Sequence, residues 1–117
     1  PTRGGVATTL NEISRSARAG MVLDEKSIPV RKEVQGACEV FGLDPLYIAN
    51  EGKLLVIVNE SDSGKVLEAM KNHPLGTHSA IIGKLTADHP SIVRMTTSIG
   101  SSRIIDMLTG EQLPRIC

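Results

Sequence analysis

The sequence predicts an α+β domain, a mixed β-sheet with helices packed against it as an α/β sandwich. Stretches with helical apolar spacing alternate with short apolar runs, which reads as helices interleaved with strands. The 117 residues suffice for one domain with its own core, without metals or disulfides. With one Tyr, one Phe and no Trp, that core must be aliphatic.

Each element follows from its own pattern. Residues 4–20 read as a helix, since Val6, Leu10, Ile13 and Ala17 recur at three- and four-residue steps. Gly20 is placed to end it in a left-handed conformation. Residues 21–24, Met-Val-Leu-Asp, read as a short strand. Residues 28–42 form a second helix, with Pro29 in its first turn, a stripe of Val30, Val34, Ala37, Cys38 and Phe41, and Gly42 as its stop. Residues 44–52 are a loop or short strand. Residues 53–58, Lys-Leu-Leu-Val-Ile-Val, are expected to be the strongest strand, buried on both faces between helices. Residues 61–73 give a third helix on Val66, Leu67 and Met70. Strands are expected at 80–86, 92–97 and 103–106, the last two paired as a hairpin across a Gly-Ser-Ser turn.

Composition excludes several function classes. Lysines and arginines number 13 and acids 13, so there is no basic field for nucleic acid or an anionic membrane surface. The scarcity of aromatics argues against base stacking. No apolar run approaches a membrane span, and the opening Pro-Thr-Arg-Gly-Gly has no signal-peptide pattern; the expected location is the cytoplasm. The two cysteines, Cys38 and Cys117, have no metal-type spacing, and Cys38 reads as a small buried hydrophobe.

Three stretches invite chemistry. Gly4 and Gly5 open a helix, so its unpaired N–H groups and positive dipole end suit a phosphate, with Thr2 and Arg3 as further donors; an ordinary glycine-started helix fits equally well. Glu51 lies between Asn50 and Gly52, where α/β proteins place functional groups, and is a candidate general base; Lys53 is positioned to pair with it or with a phosphate. A solvated turn is the competing reading. Cys117 ends the chain, on residues 107–117 that reach far if extended. Arg115 favours its thiolate and the α-carboxylate opposes it. His73, His78 and His89 sit beside Pro or Gly and read as loop residues, not ligands.

Together, the segments beginning at Pro1 (PTRGGVATTLNEI) and Ile28 (IPVRKEVQGACEVFGLDPLYIANEGKL), with HPLG, AIIGKL and the terminal EQLPRIC, resemble one family. It is the C-terminal domain of the hydrogenase expression/formation protein HypE, within the ATP-using AIR-synthase-related group that includes ThiL and selenophosphate synthetase. The resemblance implies a domain over 1–106, a tail over 107–117 carrying the terminal Cys, and an N-terminal ATP-binding domain absent from this chain. It implies that Cys117 is a carrier, loaded with a carbamoyl group by the carbamoyltransferase HypF. The S-carboxamide is then dehydrated to S-thiocyanate with ATP and Mg²⁺, and cyanide passes to iron on the HypC–HypD complex for a [NiFe] hydrogenase. It makes Glu51 the candidate base and sets Thr2, Arg3, Gly4 and Gly5 toward the nucleotide, with Lys53 a weaker electrostatic candidate. The full-length protein is expected to be a homodimer; this chain alone is expected to bind no cofactor and turn over nothing. The alternatives are phosphoryl transfer to a diffusible substrate, which needs no terminal thiol, and a non-catalytic interaction domain with an incidental or redox Cys.

Overall fold

The computed structural model describes residues 1–110. Helix α1 spans Gly5–Ala17, α2 Lys32–Phe41 and α3 Glu60–Lys71; strands β1 to β4 span Gly20–Asp24, Gly83–Thr86, Val93–Thr96 and Ser102–Ile104. Single 3₁₀ turns lie at Glu25–Ser27, Pro45–Tyr47 and Pro74–Gly76. The four strands form one mixed sheet in the order β2-β1-β3-β4. β1 is antiparallel to β2 and parallel to β3, and β3 and β4 form the expected antiparallel hairpin. The mixed sheet with helices is thus as the sequence predicts.

Register explains the core. Met21 pairs with Val93 and Leu23 with Met95. The two-residue period of a strand puts all four on one face, and all four are buried in one cluster with Ala7 and Leu10 of α1, Leu46 and Ile105. The buried line of α1 is Ala7, Leu10, Asn11 and Ser14, turned from the predicted stripe, with Val6 and Ile13 on its flank and Ala17 exposed. Hydrogen bonds account for the difference. Asn11 Nδ2 donates to the carbonyls of Ala7 (2.9 Å) and Ile105 (2.7 Å), and Ser14 Oγ donates to Ala19 O (2.7 Å). These polar side chains belong to the core because they satisfy its carbonyls.

Three details differ from expectation. Arg18, not Gly20, takes the left-handed conformation that ends α1 (φ 50°); Gly20 opens β1, where a side chain would strike the Asp88 carbonyl. Pro29 precedes α2 instead of entering it: Ile28 before it is extended (ψ 114°), and the helix begins only at Lys32, with Arg31 the N-cap and Gly42 the left-handed stop. Lys53–Val58 forms no strand. Among the described residues its backbone N–H groups make no backbone hydrogen bond. Leu55 packs on the core, whereas Leu54 is 73% exposed. A β-branched run fits a pleated surface, but that preference does not by itself pair a strand, and the sheet ends at β2 and β4 without it. Cys38 is buried and free, as expected of a small hydrophobe. Among the described residues no helix is long and apolar enough to cross a membrane.

Asn11→Ala strands the fully buried Ile105 carbonyl without its partner. The expected loss is about 2 kcal/mol, seen as a lower urea midpoint at unchanged slope. Gly5→Ala places a methyl 2.5 Å from the carbonyl oxygens of Leu46 and Ile48, at φ +61°. A loss of at least about 2 kcal/mol is expected, with faster amide exchange at Asn50 as the loop lifts.

Candidate functional site

The start of α1 and the loop after Pro45–Tyr47 are built against each other. Gly4 caps α1 in a left-handed conformation (φ 65°, ψ 11°), and no side chain caps the helix among the described residues. Gly5 is buried and also left-handed. The space its side chain would fill is taken by the Leu46 and Ile48 carbonyls. Leu46 enters the core, and Asp44 shapes the turn by accepting the Leu46 N–H on Oδ1 at 2.9 Å. The Thr2 carbonyl then accepts two N–H groups, from Gly5 at 3.2 Å and from Asn50 at 3.3 Å. That single oxygen joins the glycine-led helix start to the loop carrying Glu51.

The sequence-predicted residues therefore fall in two joined segments. Thr2 and Arg3 are exposed, Gly4 half-buried and Gly5 buried; Glu51 and Lys53 are both exposed. Gly52 is left-handed (φ +73°), so the chain turns sharply after Glu51. Among the described residues Glu51 and Lys53 form no ion pair with each other. Cys117 lies outside the described residues. Of the histidines, His73 accepts the Leu75 N–H on Nδ1 at 3.2 Å, capping its own 3₁₀ turn, which is the loop role expected of it.

A phosphate fits the start of α1. The helix has no side-chain cap, and the Thr8 hydroxyl one turn on is buried without a hydrogen-bond partner among the described residues. A side chain at Gly4 would collide with that hydroxyl, so the helix start requires a glycine there. A metal ion is a poorer fit. Among the described residues no three His, Cys, Asp or Glu side chains gather where they would hold one.

The sequence did not single out a second cluster beside this loop. Asp44 Oδ2 accepts from Arg103 Nη2 of β4 at 2.5 Å. Burial pushes the nearby Tyr47 hydroxyl above its ordinary pKa, the Asp44 and Asp106 charges add to this, and Arg103 and the Asp106 backbone oppose it. The Arg103 side chain is 43% exposed, so the pair contributes only about 0–1 kcal/mol to stability. Asp44 before Pro45 was legible as a turn residue; its partner, 59 positions away, was not. A separate groove of about 320 Å³ lies along α2, lined by Val34, Ala37, Cys38, Phe41, Leu43 and Ile48 with Glu33.

Residues 1–95 match the family described as AIR synthase related protein, C-terminal domain. The chain is 56% identical over 117 residues to the carbamoyl dehydratase HypE of Cupriavidus necator, covering 100% of this chain and 33% of that protein. A solved structure of hydrogenase maturation protein HypE superposes with a TM-score of 0.93 at 46% identity, over 100% of this chain and 38% of that one. HypE in complex with ATP gives 0.91 at 45%, over 100% and 36%. A HypE–HypF complex gives 0.87 at 42%, over 92% and 35%. The chain spans about a third of the length of the curated relatives it matches. With most of its length matched by the family and its fold shared with these HypE structures, the chain belongs to the AIR synthase related proteins, as their C-terminal domain.

Proposed function

We propose that this chain is the carrier-bearing part of an ATP-dependent carbamoyl dehydratase, residues 1–106 forming the domain and 107–117 the arm that presents Cys117. One observation carries the reading. The Asn50 N–H to Thr2 carbonyl hydrogen bond brings the phosphate-suited start of α1 and the Glu51 loop together, in a chain similar throughout to carbamoyl dehydratase HypE.

The chemistry needs both segments. The Cys117 sulfur holds a carbamoyl group, and its amide oxygen must leave while the nitrogen loses its protons. ATP, when bound, supplies the phosphoryl group with which that oxygen departs as phosphate. The uncapped N–H groups beyond Gly4 and Gly5, with Thr2 and Arg3, serve the phosphate side. The Glu51 carboxylate accepts the amide protons as the C≡N bond forms. Lys53 adds positive field near the departing oxygen. Mg²⁺ and most of the nucleotide are assigned to the larger part of the full-length protein.

The partner for loading is a carbamoyltransferase of the HypF kind, as a complex of HypE with HypF suggests. The cyanide acceptor is a HypC–HypD type complex, and the full-length protein works as a homodimer in the cytoplasm.

The test is intact mass spectrometry of the full-length protein after incubation with the transferase, carbamoyl phosphate and Mg-ATP. A carbamoyl adduct on the terminal peptide that loses one water with ATP is expected, and Cys117→Ser should abolish both masses. Glu51→Gln should load normally and form nitrile at least about a hundredfold more slowly. A wild-type Cys117 that stays unmodified beside an active transferase overturns the reading; a Glu51→Gln protein with normal thiocyanate yield removes Glu51 as the base.

A further inference from the structure

Helix α2 carries an apolar stripe that the described residues leave open. Val34, Ala37 and Phe41 recur at three- and four-residue steps, the spacing of a helix face meant for burial. Yet Cys38 is the one buried residue of the helix, and Phe41, the only Phe of the chain, is 74% exposed. The stripe lines the groove of about 320 Å³, which Leu43 and Ile48 complete, with Glu33 its one charged residue among those described. A small-molecule site sets several placed polar groups among its apolar ones; this groove offers only Glu33. A transient docking patch is about as polar as the rest of a protein surface, whereas a permanent interface resembles a core cut in two. The lining fits a permanent neighbour.

Two observations say which neighbour. The matched family is a C-terminal domain, and the chain covers 33% of the Cupriavidus necator relative, so in such a protein about two-thirds of the polypeptide precedes the matched part. That polypeptide joins beside the groove. The Thr2 carbonyl accepts the Asn50 N–H at 3.3 Å, the Ile48 carbonyl takes the space a side chain at Gly5 would fill, and Ile48 itself lines the groove. We propose that the α2 groove is the seat of the preceding part of the full-length protein, which packs into it within the same polypeptide and covers Phe41 as an anchor. An aromatic ring supplies much contact area at one position, which is why such residues gather in the centre of interfaces. The proposal rests on family membership and stands apart from the carbamoyl dehydratase reading.

The experiment uses the full-length protein and has two parts. Hydroxyl-radical footprinting of the wild type, read by mass spectrometry, compares oxidation of Phe41 in native and urea-unfolded protein. Native Phe41 is expected to react at least about fivefold more slowly. Protection below that, the result for an uncovered Phe41, overturns the proposal whatever any variant does. Phe41→p-benzoylphenylalanine then identifies the cover, since photo-crosslinking reports groups in direct contact. Crosslinks to peptides that precede Pro1 are expected, in a product with the mass of one polypeptide on a denaturing gel. Crosslinks found in a product of twice that mass make a second copy the neighbour and overturn the proposal. Crosslinks formed only after the carbamoyltransferase is added make that enzyme the neighbour, and overturn it equally.

Discussion

The backbone of one 3₁₀ turn, Pro45–Tyr47, occupies space that only a glycine helix start leaves free. Because Gly5 has no side chain, the carbonyls of Leu46 and Ile48 can lie where one would be. That contact lets Leu46 reach the core beside Ala7 and Leu10 and sets the Thr2 carbonyl to receive the Asn50 N–H. The start of α1, the Glu51 loop and the end of β4 all meet this turn, so its position is shared by the segments to which the proposed function gives a role. A turn gripped from three sides is a firmer support for a loop residue than the loop's own few bonds.

Much of this was legible in the sequence, for identifiable reasons. Two glycines before an apolar-periodic run announced the helix start, because a left-handed residue there favours glycine. The hairpin of β3 and β4 followed from two short apolar runs around a turn, local information that needs no knowledge of the rest. The side of α1 that turns inward was harder to read. Asn11 and Ser14 count as polar in any periodicity, yet they are buried because two carbonyls need donors, and those carbonyls belong to Ile105 and Ala19. The Arg103–Asp44 pair fails the same test of legibility. Nothing local marks one exposed arginine as the partner of an aspartate far back in the chain.

The run Lys53–Val58 shows the opposite limit. Its composition is the most strand-like in the chain, and Leu55 does pack on the core. Propensity describes how well side chains suit a pleated surface; pairing also requires a partner strand in register, and this run pairs with neither of the outer strands β2 and β4. Val56, Ile57 and Val58 stay more than 40% exposed, in the same loop connection that carries Glu51 and Lys53. Helix α2 likewise buries little beyond Cys38. Apolar patterning thus identified surfaces that avoid water without saying what each meets.

In the proposed reading, a carrier thiol at Cys117 needs something else to decide where it goes. Residues 107–117 span roughly 36–40 Å if extended, comparable to the 39 × 36 × 33 Å extent of the domain. Length alone would let the thiol approach either side of the molecule, so it cannot select one. Selection has to come from the end that the sheet holds, defined by Asn11 on the Ile105 carbonyl, the Ile105 N–H on Val93 and Arg103 on Asp44. The last of these ties β4 to the turn that leads into Glu51. In the proposed reading, a carrier thiol loaded by one protein and processed at another site needs a defined starting point, and the hydrogen bonds on Ile105 supply one.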